Sequence, residues 1–133
     1  MKTQINMVQE FHESFGQENG IKPKVLKTHE FMLRYKLMTE ENKEYLEACI
    51  QGDLTGIADA LGDELYILLG TILKHGLQDI IEQIFTEIHR SNMSKLDANG
   101  KPIFREDGKI LKSDRYFMPE IGPIIVSSLS SSD

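Results

Sequence analysis

Apolar residues recur at helical spacing along most of the first 92 positions of the chain. A first amphipathic helix is predicted over about residues 3–16 by four apolar positions that lie three or four residues apart: Ile5, Val8, Phe11 and Phe15. The stretch 16–23, which contains Gly16 and Pro23, then interrupts the helical pattern.

Turn and capping residues set the bounds of the next helices. A second helix is predicted from about Thr28 to Gln51, with Gly52 as its stop. Asp53 is a suitable N-cap for a third helix that continues to His75, where Gly76 ends it. A fourth helix, over about 78–92, is predicted from a further apolar set: Ile80, Ile81, Ile84, Phe85 and Ile88.

The pattern changes after Lys95. Two strong turn dipeptides, Asn99-Gly100 and Asp107-Gly108, predict either a small hairpin or two successive turns. The Ser-rich end of the chain predicts a flexible tail over 121–133. We therefore expect an all-α fold, a bundle of four to five helices with a short turn-rich or hairpin C-terminal segment, forming a single domain over 1–120.

Composition narrows the functional classes. A length of 133 residues with 40% hydrophobic residues suits one domain with a modest core, and the net charge of −6 gives no basic surface for a nucleic acid polymer. The single Cys49 fits a reducing compartment, no apolar run is long enough to span a membrane, and the first residues lack a signal-peptide pattern. We expect a cytoplasmic protein.

Acidic residues occupy unusual positions on the second helix. At about 100° per residue, Glu41 points to the same side as Leu37, Met38 and Ala48, and Glu44 lies about 60° away. Glu40 lies at the edge of that face. A solvated acidic face is the usual outcome of a charge run, but it fits Glu41 poorly.

The third helix has one broad apolar face, formed by Leu54, Ile57, Leu61, Leu65, Leu68 and Ile72. Asp59 and Asp63 lie roughly opposite it, beside small residues. Either these acids face water, or they face Glu41 and Glu44 across an antiparallel pair of helices joined at Gly52-Asp53.

A set of carboxylates without thiolate or imidazole ligands indicates a hard cation, Mg²⁺ or Mn²⁺, rather than zinc. Residues three positions before each histidine are not glutamates, which argues against a di-iron bundle, and no phosphate-binding Gly-rich loop is present. The pattern therefore favours metal-dependent phosphate chemistry in a helical bundle. Arg34 could either reach the acidic site or pair with Glu30 or Glu41, and the structural role is favoured.

Two motifs in order resemble the all-α nucleoside triphosphate pyrophosphohydrolases, a superfamily that includes MazG-like, dimeric dUTPase-like and phosphoribosyl-ATP pyrophosphohydrolase enzymes. The first is Arg34-x-x-Leu37-x-x-Glu40-Glu41-x-x-Glu44, and the second is the run ADALGDELY over 58–66. The superfamily signature is Glu-Glu-x-x-Glu followed by Glu-x-x-Asp. Asp63 matches its Asp, whereas Ala60 stands at the Glu position and Asp59 is the expected substitute.

The resemblance implies cleavage between the α- and β-phosphates of a nucleoside triphosphate. It implies that Glu41, Glu44, Asp63 and, in place of the missing glutamate, Asp59 hold the metal, and that Glu40 orients or deprotonates the attacking water. The run HRSNMSK over 89–95, the turns that follow it and residues 112–119 also resemble the MazG-like and dUTPase-like branch. The resemblance implies six substrate-binding residues: Arg90, Asn92, Lys95, Lys109, Lys112 and Tyr116.

Two alternatives stay open at this point. One is a non-catalytic nucleotide- or partner-binding module that kept the fold, as Ala60 suggests. The other is a plain helical interaction protein with solvated acids. Four helices in so short a chain leave apolar surface to bury, and related proteins assemble, so we predict a homodimer.

Overall fold

The computed structural model describes residues 1–130 and is predominantly helical. Within that range it contains five helices and one two-stranded hairpin, which confirms the all-α fold class. The elements are α1 (Lys2–Ser14), α2 (Thr28–Gln51), α3 (Leu54–Lys74), α4 (Ile81–Met93), β1 (Ile103–Phe104), β2 (Ile110–Leu111) and α5 (Ile121–Ser130). No helix among these residues combines the length and the hydropathy that crossing a membrane requires.

The chain divides into two compact units. The first, Met1–Gln78, contains α1, α2 and α3, and the second begins at Asp79 and contains the remaining elements. The prediction of a single domain over 1–120 stays a prediction.

The predicted helix ends are set by the residues that the sequence indicated. Gly52 has a left-handed φ of 65° after α2, and the Asp53 carboxylate accepts a hydrogen bond of 3.0 Å from the Gly56 N–H at the start of α3. At the start of α2, the backbone N–H of Lys27 donates to the Glu30 carboxylate at 3.1 Å. Gly76, with φ 69°, follows α3. The helix bounds predicted for α2 and α3 are therefore confirmed to within a residue or two.

Helices α2 and α3 pack against each other in antiparallel orientation. Near one end, the Arg34 guanidinium donates to the Ile67 carbonyl at 2.9 Å. Near the other end, a Cβ added at Gly56 would lie 3.1 Å from the Ala48 Cβ. Because the residue numbers of the pairs rise on one helix as they fall on the other, the middle of α2 is placed beside the middle of α3.

The broad apolar face of α3 is not the face that packs inside this unit. Its leucines remain exposed: Leu54 by 77%, Leu61 by 49%, Leu65 by 48% and Leu68 by 45%. The buried residues of α3 are instead Ala60, Leu69, Gly70 and Leu73. Small residues allow the helix backbones to approach closely, so the side of α3 that carries Asp63 can face α2.

The second unit contains the predicted C-terminal hairpin. Strands β1 and β2 pair antiparallel, with Ile103 opposite Leu111, and the Asp107-Gly108 turn lies between them. The Ser91 hydroxyl of α4 donates to the Phe117 carbonyl at 2.8 Å, which ties the helix to the segment after the hairpin. The hairpin alternative is confirmed.

Helix α5 occupies Ile121–Ser130, within the segment for which the sequence analysis expects a flexible tail and assigns no helix. Its apolar residues at 121, 124 and 125 lie at helical spacing, and Pro123 falls in the first turn, where the missing N–H has no helical partner to lose. The high serine content of the segment is the reason that a flexible tail was predicted there and not a helix. The rest of the predicted tail, 131–133, lies outside the described residues.

Candidate metal centre

Three carboxylates meet at the middle of the α2–α3 pair. Glu41, Glu44 and Asp63 each offer an oxygen atom, and these oxygens all lie within 4.8 Å of one another. Glu41 and Glu44 share a face because they are three positions apart on α2, and Asp63 reaches them from α3. The structure thus brings together three of the four residues predicted to hold metal.

Glu41 is the most constrained of the three. Its Oε2 atom is buried and has no hydrogen-bond partner among the described residues. For the Glu41 carboxyl group as a whole, burial, followed by a side-chain hydrogen bond with Glu44 and then the charges of Glu44, Asp63 and Asp59, raises the pKa from its ordinary value of 4.5 to about 7. Near neutral pH, this group therefore either holds a proton or needs a cation to offset its charge.

The three-carboxylate group fits a divalent cation. A buried carboxylate oxygen that accepts no hydrogen bond is costly, and a bound cation removes that cost while neutralising the repulsion among the three acids. Oxygen donors without sulfur or imidazole suit Mg²⁺ or Mn²⁺. Glu44 and Asp63 are solvent-exposed, so a cation and a ligand attached to it could both reach the group.

Asp59 stands at the margin of this group. It is exposed and is not one of the three residues whose oxygens meet, although its charge contributes, after those of Glu44 and Asp63, to the raised pKa of Glu41. Ala60, at the position where the signature has a glutamate, is 2% exposed. A longer side chain at position 60 would extend from the buried face of α3, whereas the Asp59 side chain extends from the exposed face.

Glu40, the predicted water-activating residue, is exposed on α2 immediately before Glu41. This position places it beside the three-carboxylate group and not within it. The structure gives Glu40 no hydrogen bond or ion pair among the described residues.

Arg34 lies on the same helix but outside the carboxylate group. It is 6% exposed, and its guanidinium donates to the Ile67 carbonyl at 2.9 Å and to the Thr71 hydroxyl at 3.0 Å. It forms no salt bridge within residues 1–130, so the expected pairing with Glu30 or Glu41 is wrong. These hydrogen bonds join α2 to α3. The structural role expected of Arg34 is therefore confirmed, but its partners are Ile67 and Thr71 and not an acidic residue.

The predicted substrate-binding residues lie in the second unit, where aromatic rings and one carboxylate already engage some of them. Arg90 donates to both oxygens of Glu87, at 3.1 and 2.9 Å, and its guanidinium carbon lies 4.3 Å from the centre of the Phe117 ring. Hydrogen bonding to Glu87 raises the pKa of Arg90. The Lys112 ammonium lies 4.5 Å from the centre of the Tyr116 ring.

The other three predicted substrate-binding residues contribute backbone bonds. The Lys95 N–H donates to the Asn92 carbonyl at 3.2 Å, in the turn that follows α4. The Lys109 N–H donates to the Asp107 carboxylate at 3.1 Å, in the hairpin turn. Their contact with a substrate stays a prediction.

Comparison with protein families identifies the chain. The family model described as phosphoribosyl-ATP pyrophosphohydrolase matches residues 8–92, which is more than half of the chain. The chain belongs to this family. The matched range contains every acid predicted to act on metal or water, from Glu40 to Asp63, and ends before Lys95. Comparison with curated proteins gave no match.

Family membership fixes the general class of activity. A phosphoribosyl-ATP pyrophosphohydrolase family member is a pyrophosphohydrolase, a hydrolase that acts on phosphoric anhydrides, and such enzymes typically use a divalent metal. The three-carboxylate group lies inside the matched range and has the donor chemistry that this class requires.

Proposed function

We propose that the protein is a Mg²⁺-dependent nucleoside triphosphate pyrophosphohydrolase that cleaves between the α- and β-phosphates and releases a nucleoside monophosphate and pyrophosphate. The observation that carries the proposal is the buried, unpartnered Glu41 oxygen beside Glu44 and Asp63, in a chain of this family. Mn²⁺ is the alternative cation, since it accepts the same oxygen donors.

Glu41, Glu44 and Asp63 would hold the cation, and Asp59 would add a fourth carboxylate or attract the cation through its charge. When bound, the cation supplies positive charge to phosphate oxygens as the anhydride bond breaks. The protein's own contribution is to keep three carboxylates at one place on two packed helices, so that little reorganisation is needed when substrate arrives.

Glu40 is proposed to act on the attacking water. Its carboxylate would accept a proton from the water while the water oxygen forms a bond to phosphorus. The bond from that phosphorus to the bridging oxygen breaks, and pyrophosphate leaves with the electron pair. An exposed carboxylate next to the metal-holding residues is free to do this because it has no hydrogen bond or ion pair within the part of the chain that the structure describes.

Six residues are proposed as substrate contacts, as the resemblance implies. Arg90, Lys95, Lys109 and Lys112 would bring positive charge to phosphate oxygens, Asn92 would hydrogen-bond the base or sugar, and Tyr116 would stack on the base. Arg90 would have to exchange at least one of its Glu87 bonds for a phosphate contact. A phosphate can reach Arg90 because its side chain is 58% exposed, although the side chain of Glu87 is only 14% exposed.

A homodimer is part of the proposal. The exposed leucines of α3 form an apolar strip, at positions 54, 61, 65 and 68, that a monomer would leave in water. Burying such a strip against a second copy is favourable by about 25 cal/mol per Å² of apolar surface. We further propose a cytoplasmic location and a role in clearing unwanted nucleotides from the pool.

A non-catalytic nucleotide- or partner-binding module is the alternative function, and Ala60 is the observation that favours it. If the missing glutamate is essential, the chain would bind a nucleotide with metal but leave it intact. The two functions differ in one measurable way, namely whether pyrophosphate appears.

A substrate panel tests the proposal. Ribo- and deoxyribonucleoside triphosphates, together with phosphoribosyl-ATP, are incubated with the protein and Mg²⁺, and the products are resolved by ion-exchange chromatography. Monophosphate and pyrophosphate in equal amounts from a triphosphate support the proposal. Turnover of phosphoribosyl-ATP alone would correct the substrate class. Calorimetric binding without turnover of any compound would favour the non-catalytic module.

A further inference from the structure

A separate cavity of about 260 Å³ lies in the first unit. Its apolar walls include Leu26, from the segment before α2, and Leu33, on α2. Arg34 and Lys74 line it as well and introduce two positive charges. Arg34 precedes Glu41 by about two helical turns, or roughly 10 Å along α2, so the cavity is distinct from the three-carboxylate group.

The Arg34 guanidinium is a buried cation that forms no ion pair with a carboxylate among residues 1–130. Its two protein acceptors, the Thr71 hydroxyl and the Ile67 carbonyl, are both uncharged. No carboxylate of the described chain forms a salt bridge with it. Burial lowers the pKa of Arg34. A buried charge in this condition gains strongly from an anion that reaches it.

Lys74 brings a second cation to the same cavity. Its ammonium donates to the Glu18 carbonyl at 2.7 Å, another uncharged acceptor. Burial, followed by the repulsive charge of Arg34, lowers the pKa of Lys74. An anion between them would relieve that repulsion.

One carboxylate, Glu30, and the exposed His29 also line the cavity. Glu30 accepts a hydrogen bond from the Lys27 N–H at 3.1 Å, at the start of α2. Its negative charge offsets part of the positive charge of Lys74. Two cations and one carboxylate line the cavity, and the charges of Lys24 and Glu18, which also act on Lys74, oppose each other, so the balance stays positive. The wall is otherwise largely apolar.

We propose that this cavity binds a small organic anion, with a carboxylate or phosphate group on Arg34 and Lys74 and an apolar body against Leu26 and Leu33. A bidentate contact with a planar guanidinium suits either head group. The apolar walls favour an organic ligand over a bare inorganic ion. Binding at this site needs no metal.

Benzoate and phenyl phosphate are suitable probes because they share an apolar ring and differ in the charged group. Each is titrated into metal-free protein in EDTA, with isothermal calorimetry for affinity and NMR amide shifts for location. Benzamide, which has the same ring without the charge, is the control ligand. Lys74→Met is the test variant, because Lys74 is only part-buried, and Lys36→Met, an exposed lysine of α2 that does not line the cavity, is its control.

We expect saturable binding of at least one anion, with shifts centred on Leu26, Leu33 and Lys74. Lys74→Met should weaken it at least fivefold, and Lys36→Met should leave it unchanged. The proposal is overturned if neither anion binds, if benzamide binds as well as the anions, if Lys74→Met has no effect, or if the shifts centre on Glu41 and Asp63. Because EDTA removes metal, the result is independent of whether the protein hydrolyses nucleotides.

Discussion

Glu41 on α2 faces Asp63 on α3, and their carboxylate oxygens lie within 4.8 Å of each other and of Glu44. Like charges this close are unfavourable unless a proton or a cation is present. The Asp53-capped turn and the antiparallel packing of the two helices fix this proximity. The fold therefore holds the three carboxylates in an arrangement that is unfavourable unless a proton or a cation is bound. The stability of the protein should depend on both.

Divalent cations should stabilise the protein. Mg²⁺ or Mn²⁺ at about 100 times its dissociation constant should raise the free energy of unfolding by about 2.7 kcal/mol, since only the folded state assembles the three carboxylates. Differential scanning calorimetry with and without metal measures this. Asp63→Asn should remove most of the effect.

A glutamate elsewhere on α2 provides the control for that experiment. Glu47 is exposed and is not part of the three-carboxylate group. Its Oε1 atom lies 3.9 Å from the Nζ atom of Lys43, which is one turn earlier on α2. Glu47→Gln should keep the full response to metal. Equal responses of the Asp63 and Glu47 variants would argue against a metal site at this group.

Stability without metal should depend on pH through Glu41. Its pKa is raised on folding from 4.5 to about 7, so the folded state binds this proton more tightly than the unfolded state does. The stabilising contribution is complete below about pH 4.5 and is lost as the pH rises through 7. Urea unfolding across this range in EDTA should show the decline, and Glu41→Gln should flatten it.

Saturating Mg²⁺ should reverse that pH trend. Metal binding requires ionised carboxylates, so the stabilisation by metal grows as the pH rises. If the metal-bound and metal-free proteins showed the same pH dependence, Glu41 would not belong to the metal site.

Gly70 should tolerate no side chain. A Cβ at this position would lie 2.6 Å from the Arg34 Nη2 atom and 3.0 Å from the His12 Nε2 atom, both on buried residues. Gly70→Ala should destabilise the protein by ~1–2 kcal/mol in chemical denaturation, because moving the guanidinium breaks its bond to the Ile67 carbonyl.

Gly62 on the same helix is the matched control. An added Cβ there meets nothing within 4 Å. Gly62→Ala should stabilise the protein by up to ~1 kcal/mol, through helix propensity alone. Similar effects of the two substitutions would mean that Arg34 and His12 are not held against α3 as described.

The α3 leucine strip should mediate self-association. We expect the mass of a dimer in light scattering after gel filtration, and the mass of a monomer for Leu65→Glu with its helical circular dichroism retained. Val25→Glu, at a residue that is 90% exposed and outside the strip, should remain dimeric. A monomer mass for the unmodified protein at micromolar concentration would refute the dimer.

Local signals in the sequence predicted the helix bounds well. Gly52, Asp53 and Gly76 act through the backbone geometry of single residues, so their effect does not depend on distant packing. The meeting of Glu41 and Asp63 could be predicted because a short connection forces α2 and α3 to be antiparallel neighbours. The antiparallel packing alone did not predict whether Asp59 reaches the three-carboxylate group, because Asp59 and Ala60 are adjacent on α3 and point in different directions.

Some features depend on tertiary packing and could not be predicted from the sequence. The leucines of α3 predict the wrong packed face, because close approach of α2 and α3 depends on Ala60 and Gly70, whose small side chains give no hydrophobic signal. The buried, unpaired state of Arg34 also depends on which α3 carbonyl lies opposite. The sequence did not predict α5, because the serine content of this segment is typical of disorder. The spacing of its apolar residues supports a helix.

Pyrophosphate release is the most direct test of the central claim that Glu41, Glu44 and Asp63 form the metal site of a pyrophosphohydrolase. The rate is measured with Mg²⁺ on the best substrate of the panel for the unmodified protein, Asp63→Asn, Asp59→Asn and Glu47→Gln, each checked for folding by circular dichroism. We predict a loss of at least roughly 100-fold in kcat/KM for Asp63→Asn, a smaller loss for Asp59→Asn and none for Glu47→Gln. Full activity of folded Asp63→Asn would contradict the claim.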